Sequence, residues 1–524
     1  MTKIFLYDTT LRDGAQSERI SFSLEDKIKI AQRLDEFGFD YIEGGWPGSN
    51  PKDLNFFRRI KEIPLKKAKI AAFGSTRRAQ VTPEDDANLK SLLESETPVV
   101  TIFGKTWDLH VIEVLKTTLD NNLKMIYDSV KYLKSHNKEV VYDAEHFFDG
   151  FKSDPEYALA TLEAAVEGGA DWIVLADTNG GTLPWEVEDI IKKVKERIKI
   201  PLGIHTHNDS GVAVTNSIIA VKEGITQVQG TINGYGERCG NANLCTIIPI
   251  LQLKMGYQVI PEEKLAQLTD LAHWVSEVAN LPPDPTAPFV GRSSFAHKGG
   301  VHVNAVLKNP KSYEHIDPSK VGNKRRFLIS ELSGTSTIVS KVKELNIDID
   351  RDSPLAKMIL EQITHLENEG YYFEGAEASF ELLVRHALGQ DTKLFDLIGL
   401  RVIIEKLGDK EETITEATLK LKIGDNVVHV AADGDGPVHA LDQALRKALI
   451  EFYPELKNIH LSDFKVRVLN GSTGTAAKVR VLIDSSNSKG DTWSTVGVST
   501  NIIEASWEAL VQSIEYGILK MREI

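Results

Sequence analysis

The stretch GIHTHND, residues 203–209, follows the short apolar run IPL at residues 200–202, an order typical of a buried strand that ends in polar residues. Because side chains alternate along a strand, His205 and His207 should point to the same side of it. Neutral imidazole is the commonest metal ligand in proteins. The pair could equally be two solvated loop histidines, and the rest of the sequence has to decide between a metal site and that alternative.

Seven other short apolar runs resemble this strand, and segments with helical periodicity separate them. They lie at residues 4–7, 41–43, 70–73, 99–102, 140–142, 172–175 and 228–231. The segment 24–37 has apolar residues at helical spacing, with Ser23 as its predicted N-cap and Gly38 after its end. Regular alternation of strands and helices indicates a parallel sheet. About eight such units predict a (β/α)8 TIM barrel over residues 1–280, with a doubly wound open sheet as the alternative fold.

Reactive side chains follow the ends of these predicted strands, which is where the active sites of TIM barrels lie. They are Asp8, Arg12 and Asp13 after the first strand, Glu43 after the second, Glu145 after the fifth, Asp177 after the sixth, His205 and His207 after the seventh, and Asn233, Glu237, Arg238 and Asn241 after the eighth. Eight arbitrary strands would not be expected to end this way. The sequence therefore predicts one active site at the C-terminal rim of a barrel.

The composition is that of an ordinary globular protein. With 524 residues the chain exceeds what one hydrophobic core usually supports, so we expect two or three domains. The formal net charge of -14 argues against a nucleic-acid-binding surface, which would be basic. Only two cysteines occur, which suits a reducing compartment, and no signal peptide or membrane-spanning apolar run is recognised. We therefore expect a cytoplasmic location.

The C-terminal half of the chain differs from the first half in its pattern of predicted secondary structure. A proline-rich segment at residues 281–288, LPPDPTAP, predicts the end of the barrel. Residues 281–392 are predicted to form a mainly helical linker region, with helices over most of 331–385. In residues 393–524, three strands followed by a helix occur twice. This internal repeat predicts a C-terminal α+β domain with a doubled βββα unit.

Three motifs carry a resemblance to a known family. They are YDTTLRDGAQ at residues 7–16, HTHND at 205–209 and NGYGERCGNA at 233–242, and they resemble the 2-isopropylmalate, homocitrate and citramalate synthase family. The first motif is also similar to that of hydroxymethylglutaryl-CoA lyase and of the carboxylases acting on pyruvate, but the third motif and the long C-terminal region favour the synthases. Residues 43–53 and 143–150 resemble the citramalate synthase branch. The resemblance covers essentially the whole chain.

The resemblance implies a metal-assisted Claisen condensation, in which acetyl-CoA is joined to a 2-oxo acid and the thioester is then hydrolysed. For the citramalate synthase branch the acceptor is pyruvate and the pathway leads to isoleucine. Asp13, His205, His207 and Asn241 are implied as ligands of a divalent metal, and these O and N donors suit Zn, Mn, Co or Mg. Arg12 is implied in substrate binding and in neutralising the alkoxide that develops during catalysis. The alternative for Arg12 is a surface salt bridge.

Four further residues take their roles from the same resemblance. Glu145, which follows a strand beside aromatic residues, matches the catalytic base of the family, and Thr178 matches a threonine that binds the substrate carboxylate. His302 and Tyr313 match catalytic residues that reach the active site, often from the partner subunit, and assist proton transfer or thioester hydrolysis. Alone, each of these two would more often be structural. If they reach the site from a partner subunit, the protein must be at least a dimer, and we expect a homodimer.

The C-terminal region resembles the allosteric, LeuA-like dimer domain of these synthases, where the branched-chain amino acid of the pathway binds. For the citramalate synthase branch this implies isoleucine as a feedback inhibitor. The segment Gly434, Asp435, Gly436 and Pro437 lies at a predicted helix start. Its residues other than the proline offer backbone N–H groups that could bind the carboxylate of isoleucine. An ordinary turn with a helix cap is the alternative.

Other functions stay open at this level. The nearest is a 2-isopropylmalate synthase with 2-oxoisovalerate as the acceptor, because a methyl-sized and an isopropyl-sized pocket differ by only a few side chains. A non-catalytic, metabolite-sensing paralogue is a second alternative, which the intact set Arg12, Asp13, Glu145, His205 and His207 disfavours. A lyase that runs the reverse cleavage is weaker, since it would not need the C-terminal domain.

Overall fold

The chain forms two compact units. The first consists of Met1–Phe295 with Ile316–Lys324, and the second of Ala296–His315 with Arg325–Ile524. The computed structural model describes residues 2–298, 300–328, 353–390, 392–406, 413–469, 471–488 and 490–522. Residues 331–352 of the predicted helical segment lie outside these described residues.

Eight parallel strands of the first unit close into a barrel, in which each strand pairs with its sequence neighbours and β1 pairs with β8. In chain order, β1 to β8 are Phe5–Asp8, Tyr41–Gly45, Lys69–Ser75, Val99–Lys105, Glu139–Glu145, Trp172–Asp177, Leu202–Thr206 and Gln227–Gly230. The register shows the closure, since Tyr7 lies opposite Tyr41 on one side and Leu6 lies opposite Val228 on the other. The predicted TIM barrel is confirmed, and the open sheet is wrong.

The helices of the first unit lie between and after these strands. In chain order, α1 to α11 are Leu24–Phe37, Pro51–Ile60, Ala87–Glu94, Leu119–Ser135, Phe147–Ser153, Pro155–Gly168, Pro184–Arg197, Ala213–Lys222, Leu244–Pro249, Glu262–Leu265 and Leu268–Val278. At the start of α1, the side chain of Ser23 accepts a hydrogen bond from Asp26 N and the side chain of Asp26 accepts one from Ser23 N, which is a capping box. Gly38 ends the helix with a φ of 112°, in the left-handed region that favours glycine. Both ends of α1 agree with the sequence prediction.

Alternate residues of the barrel strands face the barrel axis and form a packed apolar layer there. This layer consists of Tyr7, Tyr41, Ala71, Val99, Val141 and Trp172, and Val174 packs against it from two residues further along β6. Two residues further along β2 and β5, the same face carries the buried carboxylic acids Glu43 and Asp143. Because the side-chain period of a strand is two, these acids lie one layer above the apolar core and closer to the C-terminal rim.

The second unit begins with a short parallel pair, β9 at Ala296–His297 and β10 at Arg326–Phe327. Its first described helices, α12 to α14, are Gly300–Lys308, Pro354–Glu369 and Glu377–Ala387. The strands β11 to β16 that follow are Asp396–Glu405, Ile414–Ile423, Asn426–Gly434, Ile459–Val468, Val479–Asn487 and Thr492–Ser499. Helix α15, Pro437–Leu449, follows β13, and helix α16, Ile502–Arg522, follows β16.

These last elements form two antiparallel sheets, β11-β12-β13 and β14-β15-β16. Helix α15 packs against the first sheet and α16 against the second, so the predicted doubled βββα unit is confirmed. On β12 the buried residues Ala417, Leu419 and Leu421 alternate with more exposed ones, because one face of this strand packs into the core. Among the described residues of the whole chain, no helix is both long and apolar enough to cross a membrane.

Candidate active site

Asp13, His205 and His207 are buried and meet at the C-terminal rim of the barrel. The Nε2 atom of His205 lies 3.2 Å from Asp13 Oδ2 and 3.3 Å from His207 Nε2. The Nε2 atom of His207 lies 3.8 Å from Asp13 Oδ2. One carboxylate oxygen and two imidazole nitrogens that converge in this way could hold a divalent metal.

The orientation of the His205 ring is set by a glutamine on the neighbouring strand β8. The Nδ1 atom of His205 lies 3.1 Å from Gln229 Oε1, and Gln229 Nε2 donates to Gln227 Oε1 at 3.2 Å. Because the amide oxygen of Gln229 can only accept, Nδ1 carries a proton and Nε2 faces the cluster. A histidine that ligates a metal is commonly oriented by a hydrogen bond of this kind.

The electrostatics of the cluster attract a cation. Burial would raise the pKa of Asp13, but Arg12 and His205 outweigh it and hold that pKa below its usual range. Burial would lower the pKa of His205, yet the contact with Asp13 raises it, so a proton is favoured between these two groups. Burial and the neighbouring His205 lower the pKa of His207 to about 4. Protons and metal ions compete for imidazole nitrogen, so a metal would take the place of that proton.

Asn241, the fourth predicted ligand, lies against the same cluster. Its Nδ2 atom donates to Asp13 Oδ2 at 2.9 Å and lies 3.4 Å from His205 Nε2. Its buried Oδ1 atom has no hydrogen-bond partner in the described part of the chain. Exchange of the two amide atoms by rotation would turn this unpaired oxygen toward Asp13 and His205. The residues present therefore fit a divalent cation with an oxygen ligand from Asn241.

Arg12 is fixed by the buried carboxylate of Glu43, one of the reactive residues predicted at the rim. Its Nε atom donates to Glu43 Oε1 at 2.6 Å, and its Nη1 atom lies 3.4 Å from Asp13 Oδ2. Tyr7 donates to the second oxygen, Glu43 Oε2, at 2.7 Å. Burial opposes the charge on Arg12, but Glu43 and Asp13 raise its pKa, so the guanidinium stays charged. The surface salt bridge considered for Arg12 is wrong, since Glu43 is fully buried.

Glu145 and Thr178 follow one another around the rim, at the ends of β5 and β6. Glu145 forms an ion pair with Lys105 at the end of β4, a partner that the sequence did not indicate. The hydroxyl oxygen of Thr178 accepts a hydrogen bond from the backbone N–H of His146 at 2.9 Å. The hydroxyl hydrogen of Thr178 can then be directed at an anion in the site.

A cavity of about 220 Å³ joins these groups. Its walls contain eight of the predicted residues, namely Arg12, Asp13, Glu145, Thr178, His205, His207, Glu237 and Arg238. They also contain Asp143, which sequence reasoning missed, and its buried Oδ1 atom has no hydrogen-bond partner among the residues that the structure describes. Burial raises the pKa of Asp143 to about 6. The signal that could have found it is its spacing of two residues from Glu145 on one strand.

His302 and Tyr313 belong to the second unit and are brought together there. Their rings stack with centroids 4.3 Å apart and an interplanar angle of 29°. The neighbouring Glu314 is buried and pairs with Arg325 and with His297, which fixes the backbone next to Tyr313. Tyr313 itself is 47% exposed, so one side of the stacked pair is open to contact.

The predicted effector-binding site, residues 434–437, forms the turn between β13 and α15. Gly434 is the last residue of β13, and Pro437 is the first residue of α15. The backbone N–H of Asp435 donates to His439 Nδ1 at 3.1 Å, so this predicted donor already has a partner. The turn is thus the start of a helix, and one of its backbone N–H groups, that of Asp435, already donates a hydrogen bond within the chain.

Known families match consecutive parts of the chain. Residues 3–275 match the HMGL-like family, which covers more than half of the chain. Residues 289–370 match the homocitrate synthase post-HMGL domain-like family. Residues 374–518 match the LeuA allosteric (dimerisation) domain.

Two curated relatives match along almost their whole length. The (R)-citramalate synthase of Geobacter sulfurreducens is 58% identical, over 100% of this chain and 99% of that protein. The (R)-citramalate synthase of Aquifex aeolicus is also 58% identical, over 99% of each chain. By comparison, the 2-isopropylmalate synthase of Methanocaldococcus jannaschii is 31% identical, over 99% of this chain and 96% of that protein. With an HMGL-like barrel and this identity over its full length, the chain belongs to the (R)-citramalate synthase family.

Proposed function

We propose that the protein is a metal-dependent (R)-citramalate synthase of the cytoplasm, which joins acetyl-CoA to pyruvate and releases citramalate and CoA on the route to isoleucine. The observation that carries this proposal is the convergence of Asp13, His205 and His207 beside Arg12 and Glu145 in one cavity. A protein that only senses a metabolite would have no use for this set. The choice of pyruvate as acceptor is supported by the 58% identity to (R)-citramalate synthases.

Asp13, His205, His207 and Asn241 would hold the metal ion. Bound there, a divalent ion acts as a Lewis acid that polarises the ketone of the oxo acid. The mixed O and N donors suit Zn, Mn, Co or Mg. In this proposal the hydroxyl of Thr178 donates to the carboxylate of pyruvate, so that the acceptor is oriented before it reacts.

Glu145 acts as the general base in this proposal. Its carboxylate takes a proton from the methyl group of acetyl-CoA, and the carbon that loses the proton forms a bond to C2 of pyruvate. The π electrons of the ketone move to its oxygen, where the guanidinium of Arg12 neutralises the developing negative charge. Glu43 holds Arg12 in position before the reaction begins. The protonated Glu145 then gives its proton to the alkoxide. Water attacks the thioester carbonyl, the carbon–sulfur bond breaks, and a proton of that water goes to the departing thiolate of CoA.

His302 and Tyr313 complete the site from a partner subunit in the proposed homodimer, where they assist proton transfer or hydrolysis. Apolar residues exposed on the sheets of the second unit support this assembly, among them Leu397 and Ile404 on β11 and Val468 on β14. Exposed apolar surface of this kind is typical of protein–protein interfaces. The match to the LeuA allosteric (dimerisation) domain agrees with it.

We propose a division of the chain into a catalytic barrel at residues 1–280, a linker region at 281–392 and a regulatory domain at 393–524. In the regulatory domain, isoleucine would act as a feedback inhibitor, with its carboxylate at the turn 434–437. A cavity of about 470 Å³ on β13 and α15 has Asp433, Arg446 and Lys447 in its walls. With the carboxylate at the turn, Asp433 in this wall suits the ammonium group of the amino acid.

The test is the relative rate of CoA release from acetyl-CoA with pyruvate, with 2-oxoisovalerate and with 2-oxoglutarate. The proposal expects the highest kcat/KM with pyruvate. Preference for 2-oxoisovalerate would instead make the protein a 2-isopropylmalate synthase. No release with any 2-oxo acid, from protein loaded with each of the four metals, would favour the non-catalytic alternative.

A further inference from the structure

One corner of the active-site cavity is built from three aromatic rings, those of Trp46, Phe73 and Phe103, which we call the aromatic corner. The rings of Phe73 and Phe103 stack with centroids 5.5 Å apart and an interplanar angle of 24°. Trp46 meets both edge-on, at 5.9 Å and 83° to Phe73 and at 5.7 Å and 81° to Phe103. Offset-stacked and edge-to-face contacts are the preferred arrangements of aromatic pairs, so the corner is a rigid wall.

The indole ring of Trp46 is held by a hydrogen bond outside the cavity. Its Nε1 atom donates to Asn88 Oδ1 at 2.8 Å. The other amide atom of the same side chain, Asn88 Nδ2, donates to the carbonyl oxygen of Ser75 at 2.6 Å. Because an indole N–H can only donate and a carbonyl can only accept, these two contacts fix the orientation of the Asn88 amide. Asn88 therefore prevents the ring of Trp46 from rotating away from the cavity.

The backbone of Trp46 is held as firmly as its ring. The N–H of Trp46 donates to Asp53 Oδ2 at 2.9 Å. Asp53 pairs with Lys27, which is itself buried and also donates to the carbonyl oxygen of Gly44. Gly45 has a φ of 145°, and a Cβ atom there would lie 2.5 Å from the carboxylate carbon of Asp53. The loop after β2 can therefore wrap around Asp53 only because residue 45 is glycine.

The aromatic corner is the apolar part of an otherwise polar cavity. The Asp13–His205–His207 cluster, Arg12 and Thr178 supply groups that attract the ketone and the carboxylate of a 2-oxo acid. When the ketone and the carboxylate of the acceptor contact these polar groups, its remaining substituent faces the aromatic corner. The guanidinium of Arg12 lies 3.8 Å from the centroid of the Phe73 ring, so the polar and apolar parts of the cavity adjoin at this contact.

We propose that Trp46 limits the acceptor to a 2-oxo acid with a methyl-sized side chain, and that Asn88 is the positioning residue that holds it there. This inference rests on the proposed function and assigns the acceptor specificity to a particular contact. The rigid ring sets the depth available to the acceptor substituent in a cavity of about 220 Å³. Removal of the ring, or of its hydrogen bond, should admit longer and branched substituents.

The experiment measures kcat and KM for pyruvate, 2-oxobutyrate and 2-oxoisovalerate at saturating acetyl-CoA in wild type, Trp46→Leu, Trp46→Phe and Asn88→Ala. One methylene group in a pocket changes kcat/KM by roughly 10–200-fold. Trp46→Leu should therefore raise the kcat/KM ratio of 2-oxobutyrate to pyruvate by about tenfold or more. Trp46→Phe should raise this ratio less, since it keeps one aromatic ring at position 46. Asn88→Ala should also raise the ratio less, since it keeps the whole side chain of Trp46.

Trp185→Phe is the matched control, because Trp185 is 62% exposed on α7 and is not in the wall of the cavity. Its acceptor ratio should equal that of wild type. A general loss of stability would lower all rates together and leave the ratio unchanged. If Trp46→Leu does not fold, Trp46→Phe and Asn88→Ala carry the same test.

An unchanged acceptor ratio in folded, metal-loaded Trp46 variants would overturn the inference while the proposed function stands. Failure of the proposed function would be visible earlier, as wild-type protein that does not turn over pyruvate.

Discussion

The Nε2 atoms of His205 and His207 lie 3.3 Å apart, so two imidazole rings from the end of one strand face the same point. The two-residue period of a strand explains why both rings are on one side. Asp13 reaches the same point from the segment after β1, because the barrel closes between β1 and β8. The cluster thus depends both on local strand geometry and on closure of the barrel.

Alanine at Asp13 or at His207 is expected to remove bound metal and CoA release together, because each change deletes a ligand. The loss of metal affinity should exceed the roughly 10–100-fold typical of changes to residues that only support ligands. Metal content by mass spectrometry and the rate of CoA release are measured on the same samples. His136→Ala, which changes an exposed histidine of the barrel domain, should keep both. Normal metal content with full activity in either ligand variant would contradict the assignment.

Gln229→Leu should weaken metal binding without removing any ligand. The change deletes the acceptor for the Nδ1–H of His205, so the ring loses the contact that orients it. The expected loss of metal affinity is about 10–100-fold, measured by competition with a chelating dye. Gln229→Glu keeps an acceptor at this position and should bind metal more tightly than the leucine variant. Equal affinities in wild type and Gln229→Leu would show that the hydrogen bond has no such role.

Arg12→Lys should lower kcat about 10²–10³-fold with normal metal content. A lysine keeps the charge but cannot reproduce the fork that bonds to Glu43 and faces Asp13. The measurement is the kcat for CoA release at saturating substrates. Arg197→Lys is a matched control, because Arg197 forms its ion pairs with Glu156 and Glu163 away from the cavity. A kcat within twofold of wild type for Arg12→Lys would argue against its role at the developing alkoxide.

Asp8 should make the barrel less stable as the pH rises. Burial raises the pKa of Asp8 from 3.8 to about 7, and hydrogen bonds from Thr10 offset this only in part. Between pH 3.8 and about pH 7, Asp8 holds a proton in the folded state that it has lost in the unfolded state. The contribution of Asp8 to the free energy of unfolding therefore falls with increasing pH.

Asp8→Asn removes this dependence. From pH 5 to pH 8, the free energy of unfolding of wild type should fall by about 3 kcal/mol more than that of the variant. Urea unfolding of both proteins at the two pH values gives the difference, in which contributions common to both cancel. Parallel pH profiles for the two proteins would mean that Asp8 does not carry this proton.

The barrel and much of its rim could be predicted because both follow local patterns. Short apolar runs alternate with helical periodicity, and reactive residues follow the runs, as His205 and His207 do. The ends of α1 followed from Ser23 and Gly38, whose effects on a helix act within a few residues. The doubled βββα unit was predicted for the same reason, since each of its strands alternates over a short stretch.

Contacts between distant segments could not be predicted in this way. The ion pair of Glu145 with Lys105 joins the ends of two strands, and nothing near either residue indicates it. The bond between Trp46 and Asn88 depends on how the loop after β2 packs against α3. The long-range geometry of the closed barrel supplies these parts of the site.

The central claim is most directly tested by CoA release from acetyl-CoA and pyruvate before and after chelation, with citramalate identified by NMR. We expect turnover that stops when the metal is removed and returns when a divalent metal is added back. Addition of isoleucine to the restored enzyme should slow the same reaction. Formation of citramalate at an unchanged rate after complete removal of metal, or no citramalate from metal-loaded protein, would contradict a metal-dependent condensation at Asp13, His205 and His207.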